Sequence, residues 1–213
     1  MTITDTIAAI ATPYGKSAIG IIRFSGANTY KIIDKFIGHK LRPRFATNTK
    51  IIDEETNIID DVIAVYYKSP SSYTGEDMLE IQSHGNPAIL DYILDCACKK
   101  LARLSKPGEF TERAFINNKI DLTQAEAVAD IINASNISAS KAALITLQGK
   151  FSKSIRLLIE RIINMRADIE ASIDFPEDDS PSISLKKNSK VLNEITGDIE
   201  ALLTSVKSGI VIN

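Results

Sequence analysis

The chain lacks an excess of charge of either sign. Its 213 residues include 25 Lys and Arg against 27 Asp and Glu, which gives a formal net charge of -2. Proteins that hold nucleic acid electrostatically need positive charge whose binding releases counterions from the phosphates. The composition therefore excludes a polyanion-binding protein of that kind. Any contact with nucleic acid has to be local or made by another part of the protein.

Cysteine and histidine are scarce, which limits redox and metal chemistry. Cys96 and Cys98 stand two residues apart in a segment with helical spacing, so they point to different faces and predict neither a disulfide nor a zinc site. His84 follows a strand pattern and precedes a helix pattern, where its side chain is expected to be exposed, and His39 is expected to be solvated. Neither has catalytic partners at motif spacing. We predict no metal site and no catalytic residue.

Long apolar runs and a basic leader are also missing. Residues 1–15 contain no basic region ahead of an apolar block. No uninterrupted apolar run approaches the roughly 20 residues that a membrane helix requires. We predict a cytoplasmic protein with no membrane partner.

The first half of the chain mixes strand and helix signals. One helix pattern ends at Gly38, and another begins at Asn86 with Pro87 in its first turn. The strand candidates are short apolar or alternating runs bounded by Gly, Pro, Ser or Asn, at residues 6–12, 18–24, 46–53, 61–67 and 77–83. These signals predict an α+β domain.

The second half, from residue 109 onward, is almost continuously helical and predicts an all-α segment. Thr123 followed by Glu126 predicts a capping box, and an apolar stripe over residues 155–169 requires a packing partner. Residues 174–189 are polar, contain two prolines and are predicted to form a linker. A last amphipathic helix is expected at about 189–206, and residues 208–213 favour the opening of a buried strand.

Arg23 lies among apolar residues of a strand that follows a turn rich in Pro and Gly, in the stretch ATPYGKSAIGIIRFSG. An arginine in that setting is either an edge charge or an anchor for an anion. The glycines of this stretch do not indicate a nucleotide site, because a GxxxxGK[ST] phosphate loop is absent from the sequence.

Glu80 is an unusual residue for the middle of an apolar strand, since a buried carboxylate without partners is costly. A carboxylate there can accept paired N–H donors, such as those of a pterin or a guanine edge. It can equally form a salt bridge with Arg23 or Lys119. Spacing alone favours the salt bridge.

A third group of polar residues lies in the stretch PGEFTERAFINNKIDLTQAEAVADII. Glu109 and Arg113 are four residues apart and can pair along a helix. Lys119 follows in a polar corner, where it can reach a ligand carboxylate or remain solvated.

These stretches, with SYTGEDMLEIQSHGNP and DFPEDD, closely resemble the N-terminal part of the MnmE (TrmE) family of tRNA modification GTPases. The resemblance implies an α+β domain similar to the tetrahydrofolate-binding domains of aminomethyltransferases, followed by a helical domain into which a GTPase domain is inserted. We therefore expect a folate-binding and dimerisation domain at residues 1–118 and the first part of the helical domain at 119–213.

The resemblance also implies a function. Family members dimerise and, with an FAD-dependent partner similar to MnmG (GidA), add a carboxymethylaminomethyl-type group to the wobble uridine of tRNA. The one-carbon unit comes from 5-formyltetrahydrofolate or a related tetrahydrofolate. The family's folate-contacting positions fall on Arg23, Glu80 and Lys119, whereas Tyr14, Lys16 and Ser17 depart from its usual residues.

The resemblance includes one large departure, because the family's segment aligned with SGIVIN leads into a phosphate loop that this sequence lacks. GTP, Mg²⁺ and K⁺ are therefore expected only in the full-length family protein, and this chain alone is predicted to be inactive as a GTPase. The alternative is a structural module that docks a partner protein or tRNA and carries a vestigial folate site.

Overall fold

The protein is described here from a computed structural model, which covers residues 5–174 and 181–210, with side chains at 5–174 and 188–204. The chain forms two compact units, Met1–Ile120 and Asp121–Asn213. The structural division thus falls after residue 120, whereas the sequence places a domain boundary after residue 118.

A six-stranded sheet organises the first unit. Its strands are β1 (Ile7–Ile10), β2 (Ser17–Ser25), β3 (Thr47–Ile52), β4 (Ile58–Tyr67), β5 (Met78–Gly85) and β6 (Arg103–Leu104). Their order across the sheet is β3-β4-β5-β2-β1-β6, and only the β1–β6 pair is parallel among the paired strands of the described residues. All five predicted strands are confirmed. Sequence reasoning missed β6, which is too short to show alternation.

Three helices accompany the sheet: α1 (Thr29–Phe36), α2 (Pro87–Cys98) and α3 (Glu109–Ile116). Gly38 lies just beyond α1 with a φ of 77°, and its N–H donates to the carbonyl of Ile33 at 3.1 Å. The Asn86 side chain accepts a hydrogen bond from the N–H of Ala88 at 3.0 Å and caps α2. Both predicted helix ends are confirmed, and the first unit is α+β.

Strand alternation decides which side chains of the sheet enter the core. Ile22, Phe24 and Leu79 are fully buried in a cluster that also contains the apolar side chains of α1 and α2. Successive side chains of a strand point to opposite faces. Arg23 and Glu80 therefore lie on the other face of the sheet.

The second unit is all-α, as predicted. Its helices are α4 (Leu122–Asn133), α5 (Ile137–Leu147), α6 (Lys150–Asp174) and α7 (Pro181–Ile210). The capping box that opens α4 pairs Asp121 with Gln124, so the predicted pair of Thr123 and Glu126 is wrong. Asp121 has the extended backbone of a capping residue, whereas Thr123 lies within the first turn and donates its hydroxyl to Asp121.

Helix α7 begins at Pro181. The predicted linker at residues 174–189 is therefore wrong for residues 181–189, which are helical. Proline has the backbone angle of a first helical position and opens a helix without losing a hydrogen bond. Residues 208–210 end this helix instead of opening a strand. Residues 175–180 and 211–213 lie outside the described residues. No helix within the described ranges is long and apolar enough to span a membrane.

Candidate functional site

Arg23 and Glu80 face each other on neighbouring strands of the sheet. They are directly opposite in the register of β2 and β5. The Arg23 guanidinium donates to Glu80 Oε1 from Nε at 2.8 Å and approaches it through Nη2 at 2.7 Å. The side chains are 29% and 16% exposed, respectively. The salt bridge that spacing favoured is confirmed, with Arg23 as the partner of Glu80.

Tyr67 supplies a second hydrogen bond to Glu80. Its hydroxyl donates to Glu80 Oε2 over 3.3 Å from the neighbouring strand β4. Burial raises the pKa of Tyr67 above its ordinary value, and the negative charge of Glu80 adds to the rise. The phenol therefore remains protonated and available as a donor near neutral pH. Sequence reasoning missed Tyr67, because strand pairing and not sequence spacing brings it to Glu80.

Two aromatic rings flank the Arg23 guanidinium. Its Cζ lies 5.7 Å from the ring centroid of Tyr73 and 5.6 Å from that of Phe110. A cation above an aromatic face at such a distance is attracted by the ring quadrupole. The hydroxyl of Tyr73 is hydrogen-bonded to that of Thr111 at 2.9 Å, which ties Tyr73 to α3. Arg23 is therefore held by contacts from two elements as well as by Glu80.

Lys119 lies beyond α3 and contacts the loop at residues 68–77, which connects β4 and β5. Its Nζ donates to the carbonyl of Pro70 at 2.9 Å, and its side chain is exposed. The same loop carries Tyr73, which contacts Arg23. The structure thus brings Arg23 and Glu80 together directly and connects Lys119 to them through the 68–77 loop. A salt bridge between Glu80 and Lys119 is not formed, since Lys119 bonds to the loop.

An ionic network around the buried Arg113 anchors the 68–77 loop and α3. Arg113 is fully buried and donates through Nη2 to Asp5 Oδ1 at 2.8 Å and to Glu109 Oε1 at 3.1 Å. Its Nη1 donates to Glu76 Oε2 at 3.2 Å, and Ser25 donates to the same oxygen at 2.7 Å. The predicted pair of Glu109 and Arg113 is confirmed. The network fixes the two elements that carry Tyr73 and Phe110.

His84 is exposed, as predicted, and it has a partner that the sequence did not indicate. Its Nδ1 lies 2.7 Å from Asp60 Oδ1, and its backbone N–H donates to Asp60 Oδ2 at 2.9 Å. Ser83 donates to the same Oδ2. Burial acts to raise the pKa of Asp60, but the hydrogen bonds from Ser83 and His84 outweigh it and lower the pKa.

Asp60 bridges Ser83 and His84, whereas nucleophilic catalysis requires the histidine to contact the serine. We therefore assign Asp60 to the support of the end of β5. His39 is exposed and hydrogen-bonded to Thr49 at 2.9 Å. Across the residues that the structure describes, His, Cys, Asp and Glu side chains do not form a group of three that could hold a metal ion.

The arrangement around Glu80 is suited to binding. A carboxylate has about four lone-pair positions, and Arg23 and Tyr67 engage one oxygen each. Both Arg23 nitrogens approach Oε1, whereas Oε2 accepts only the Tyr67 hydroxyl, so acceptor capacity remains on Oε2 for a ligand that presents an N–H group. Arg23 places positive charge against Glu80, and Lys119 places positive charge on the 68–77 loop, where an anionic group could meet it.

Comparison with known proteins identifies relatives of both units. The family profile described as "GTP-binding protein TrmE N-terminus" matches residues 6–119, and the profile "MnmE helical domain" matches residues 122–213. The tRNA modification GTPase MnmE of Francisella tularensis subsp. novicida (strain U112) is 51% identical over 208 residues, which are 98% of this chain and 46% of that protein.

The MnmE protein of Francisella philomiragia subsp. philomiragia is 49% identical over the same shares of the two chains. The chain therefore spans about half the length of the curated relatives that it matches.

Proposed function

Because the chain belongs to the MnmE (TrmE) family of tRNA modification GTPases, we propose that its first unit binds 5-formyltetrahydrofolate or a related tetrahydrofolate. The observation that carries the proposal is Glu80, a carboxylate kept on the non-core face of the sheet and held there by Arg23 and Tyr67. The predicted site residues are Arg23, Glu80 and Lys119.

The pterin end of a folate matches the acceptor capacity of Glu80. A pterin presents N–H donors, and Glu80 Oε2, which accepts only the Tyr67 hydroxyl, has a lone pair left to accept one of them. The Glu80 side chain is 16% exposed, so a ligand can reach it while the surrounding protein limits competition from water. These properties support a binding role for Glu80, a residue that is otherwise costly on an apolar strand.

The tail of a folate ends in carboxylates and requires positive charge. Lys119 is exposed and is held by one backbone carbonyl, so its Nζ can turn to a ligand at little cost. A lysine is a flexible point charge, whereas the guanidinium of an arginine has a fixed geometry. Lys119 is therefore suited to follow the anionic end of the ligand.

For the protein as a whole, we propose that the chain serves tRNA modification as a homodimer. The support is family membership, since the relatives are named tRNA modification GTPases. The family resemblance further suggests the wobble uridine as target, an FAD-dependent partner similar to MnmG, and GTP with Mg²⁺ and K⁺ as cofactors of the full-length protein.

Titration of the purified chain with 5-formyltetrahydrofolate tests the proposed binding function. We expect saturable binding, and Glu80→Ala should weaken it by about 1.5–3 kcal/mol, the range for hydrogen bonds to a charged group. Glu55→Ala removes an exposed carboxylate from the β3–β4 turn and is the matched control, for which unchanged affinity is expected. Equal affinity of the Glu80 variant and the unmodified chain, with both correctly folded, would contradict the assignment.

The second candidate function is docking of a partner protein or tRNA by the helical unit, with a vestigial folate site. It is favoured by the exposed apolar side chains of α6, among them Leu157, Ile159 and Ile163, which are 52%, 49% and 58% exposed. The same titration separates the two candidates. Absence of folate binding by the unmodified chain would favour docking.

A further inference from the structure

We infer that Tyr67 is a positioning residue of the folate site, which fixes the Glu80 carboxylate from the side opposite Arg23. The inference rests on the proposed folate-binding function and adds a residue to it. It also separates two roles, because it assigns Arg23 to the orientation of Glu80 and leaves Lys119 to meet the ligand's anionic end.

The first step is the position of Tyr67 on the sheet. In the pairing of β4 with β5, Val65 lies opposite Glu80 and Tyr67 lies opposite Met78. Tyr67 is thus a diagonal neighbour of Glu80 on the same face, at a separation that a long aromatic side chain can cross. Its hydroxyl reaches Glu80 Oε2 at 3.3 Å.

The second step concerns the two oxygens of the Glu80 carboxylate. Arg23 approaches only Oε1, with its Nε and Nη2, whereas Tyr67 donates to Oε2. A carboxylate held at both oxygens has little freedom to rotate about its last bond. It therefore presents the open lone pair of Oε2 in one direction, and a ligand does not have to order the side chain on binding.

The third step concerns Arg23 itself. Its guanidinium contacts Glu80 and lies within 5.7 Å of the ring centroids of Tyr73 and Phe110. Turning toward a distant carboxylate of the ligand would break these contacts together. Lys119 would lose only its hydrogen bond to the Pro70 carbonyl. Because Arg23 has more contacts to lose than Lys119, we assign Arg23 to the pterin end of the folate and Lys119 to its tail.

Tyr67→Phe tests the inference, and Tyr66→Phe is its matched control. Tyr66 is the adjacent residue of β4, but it faces the core, where burial and a hydrogen bond to Asp77 raise its pKa to about 12. Each variant loses one hydroxyl group that is hydrogen-bonded to a carboxylate. With 5-formyltetrahydrofolate as the probe, we expect Tyr67→Phe to weaken binding about three- to tenfold and Tyr66→Phe to leave it unchanged.

A double-mutant cycle distinguishes positioning from a general structural effect. If Tyr67 acts through Glu80, Tyr67→Phe should have no further effect on affinity in the Glu80→Ala background, because there is no carboxylate left to orient. An equal loss in both backgrounds, or no loss in the single variant, would overturn the inference while the proposed function stands. Absence of binding by the unmodified chain would instead overturn the proposed function and, with it, the inference.

Discussion

Gly75 lies in the 68–77 loop with a backbone conformation that favours glycine. Its φ of +80° lies in the left-handed region, which costs other residues about 1–2 kcal/mol. A Cβ at this position would also lie 3.1 Å from Cγ of Lys119 and 3.2 Å from Cβ of Asn117. We expect Gly75→Ala to lower the free energy of unfolding by about 2 kcal/mol and to weaken folate binding by displacing Lys119.

Gly38→Ala is the control for this prediction. Gly38 has a similar φ of +77°, but a Cβ there would meet nothing within 4 Å. Urea unfolding of both variants should show backbone strain in each, whereas only Gly75→Ala should change the affinity for 5-formyltetrahydrofolate. Equal effects of the two variants on affinity would show that the contact between residue 75 and Lys119 does not influence folate binding.

At the residue scale, the sequence predicted the charged members of the candidate site but not its aromatic members. Glu80 stood out because a carboxylate is costly on an apolar strand. Its partner, Arg23, lies directly opposite it on the neighbouring strand β2. Tyr67, Tyr73 and Phe110 are ordinary residues for a strand, a turn and a helix. Only the register of the strands and the path of the 68–77 loop bring them to Arg23 and Glu80.

At the element scale, an ion pair between Glu109 of α3 and Arg103 of β6 attaches this helix to the sheet. The contribution of the pair to stability depends on pH. Hydrogen bonds from Arg103 lower the pKa of Glu109 from its ordinary 4.5 to about 2. A carboxyl group with a lowered folded-state pKa stabilises the protein above pH 4.5, and this contribution is lost as the pH falls toward 2. We expect Glu109→Gln to lower the stability at neutral pH by about 1.5–3 kcal/mol and to flatten the dependence of stability on pH in that window.

Denaturant unfolding between pH 2 and pH 7 measures this dependence. Glu112→Gln is the control, because Glu112 is an exposed residue of the same helix. It should leave both the stability and its slope with pH nearly unchanged. A slope in Glu109→Gln as steep as in the unmodified chain would show that other carboxylates cause the acid sensitivity.

Sequence signals located helix ends well where the capping residue was unambiguous and poorly where two candidates were close together. Gly38 and Asn86 have no competitors nearby, and the helices end and begin beside them. Asp121 and Thr123 both suit a capping position, and the backbone conformation of Asp121 decided between them. Pro181 has the same ambiguity, because proline is compatible with a linker and with the first turn of a helix.

At the scale of the whole molecule, composition and periodicity were sufficient for the fold class. The change from alternating runs to continuous helical spacing corresponds to the change from the α+β unit to the all-α unit. The order of strands in the sheet could not be predicted in the same way. Strands β2 and β5 are neighbours although α1, β3 and β4 separate them in sequence, and it is this pairing that creates the candidate site.

The last prediction concerns association of the whole chain, for which the two units offer different surfaces. The family resemblance implies dimerisation through the first unit. There Ile63 is 41% exposed and lies on the sheet face that carries Glu80. In the second unit, Ile163 of α6 is 58% exposed. We expect light scattering of the unmodified chain at micromolar concentration to give twice the mass of one chain.

Substitution of one exposed isoleucine on each surface by glutamate identifies the surface that forms the dimer interface. A buried unpaired carboxylate costs several kcal/mol, so it should dissociate a dimer only if it enters the interface. We expect Ile63→Glu to shift the mass toward that of the monomer and Ile163→Glu to leave the dimer intact. The reverse result would place the association on the helices, and a monomeric unmodified chain would contradict the dimer itself. Because both residues are substantially exposed before association, neither variant should lose its fold, and circular dichroism of the two proteins verifies this.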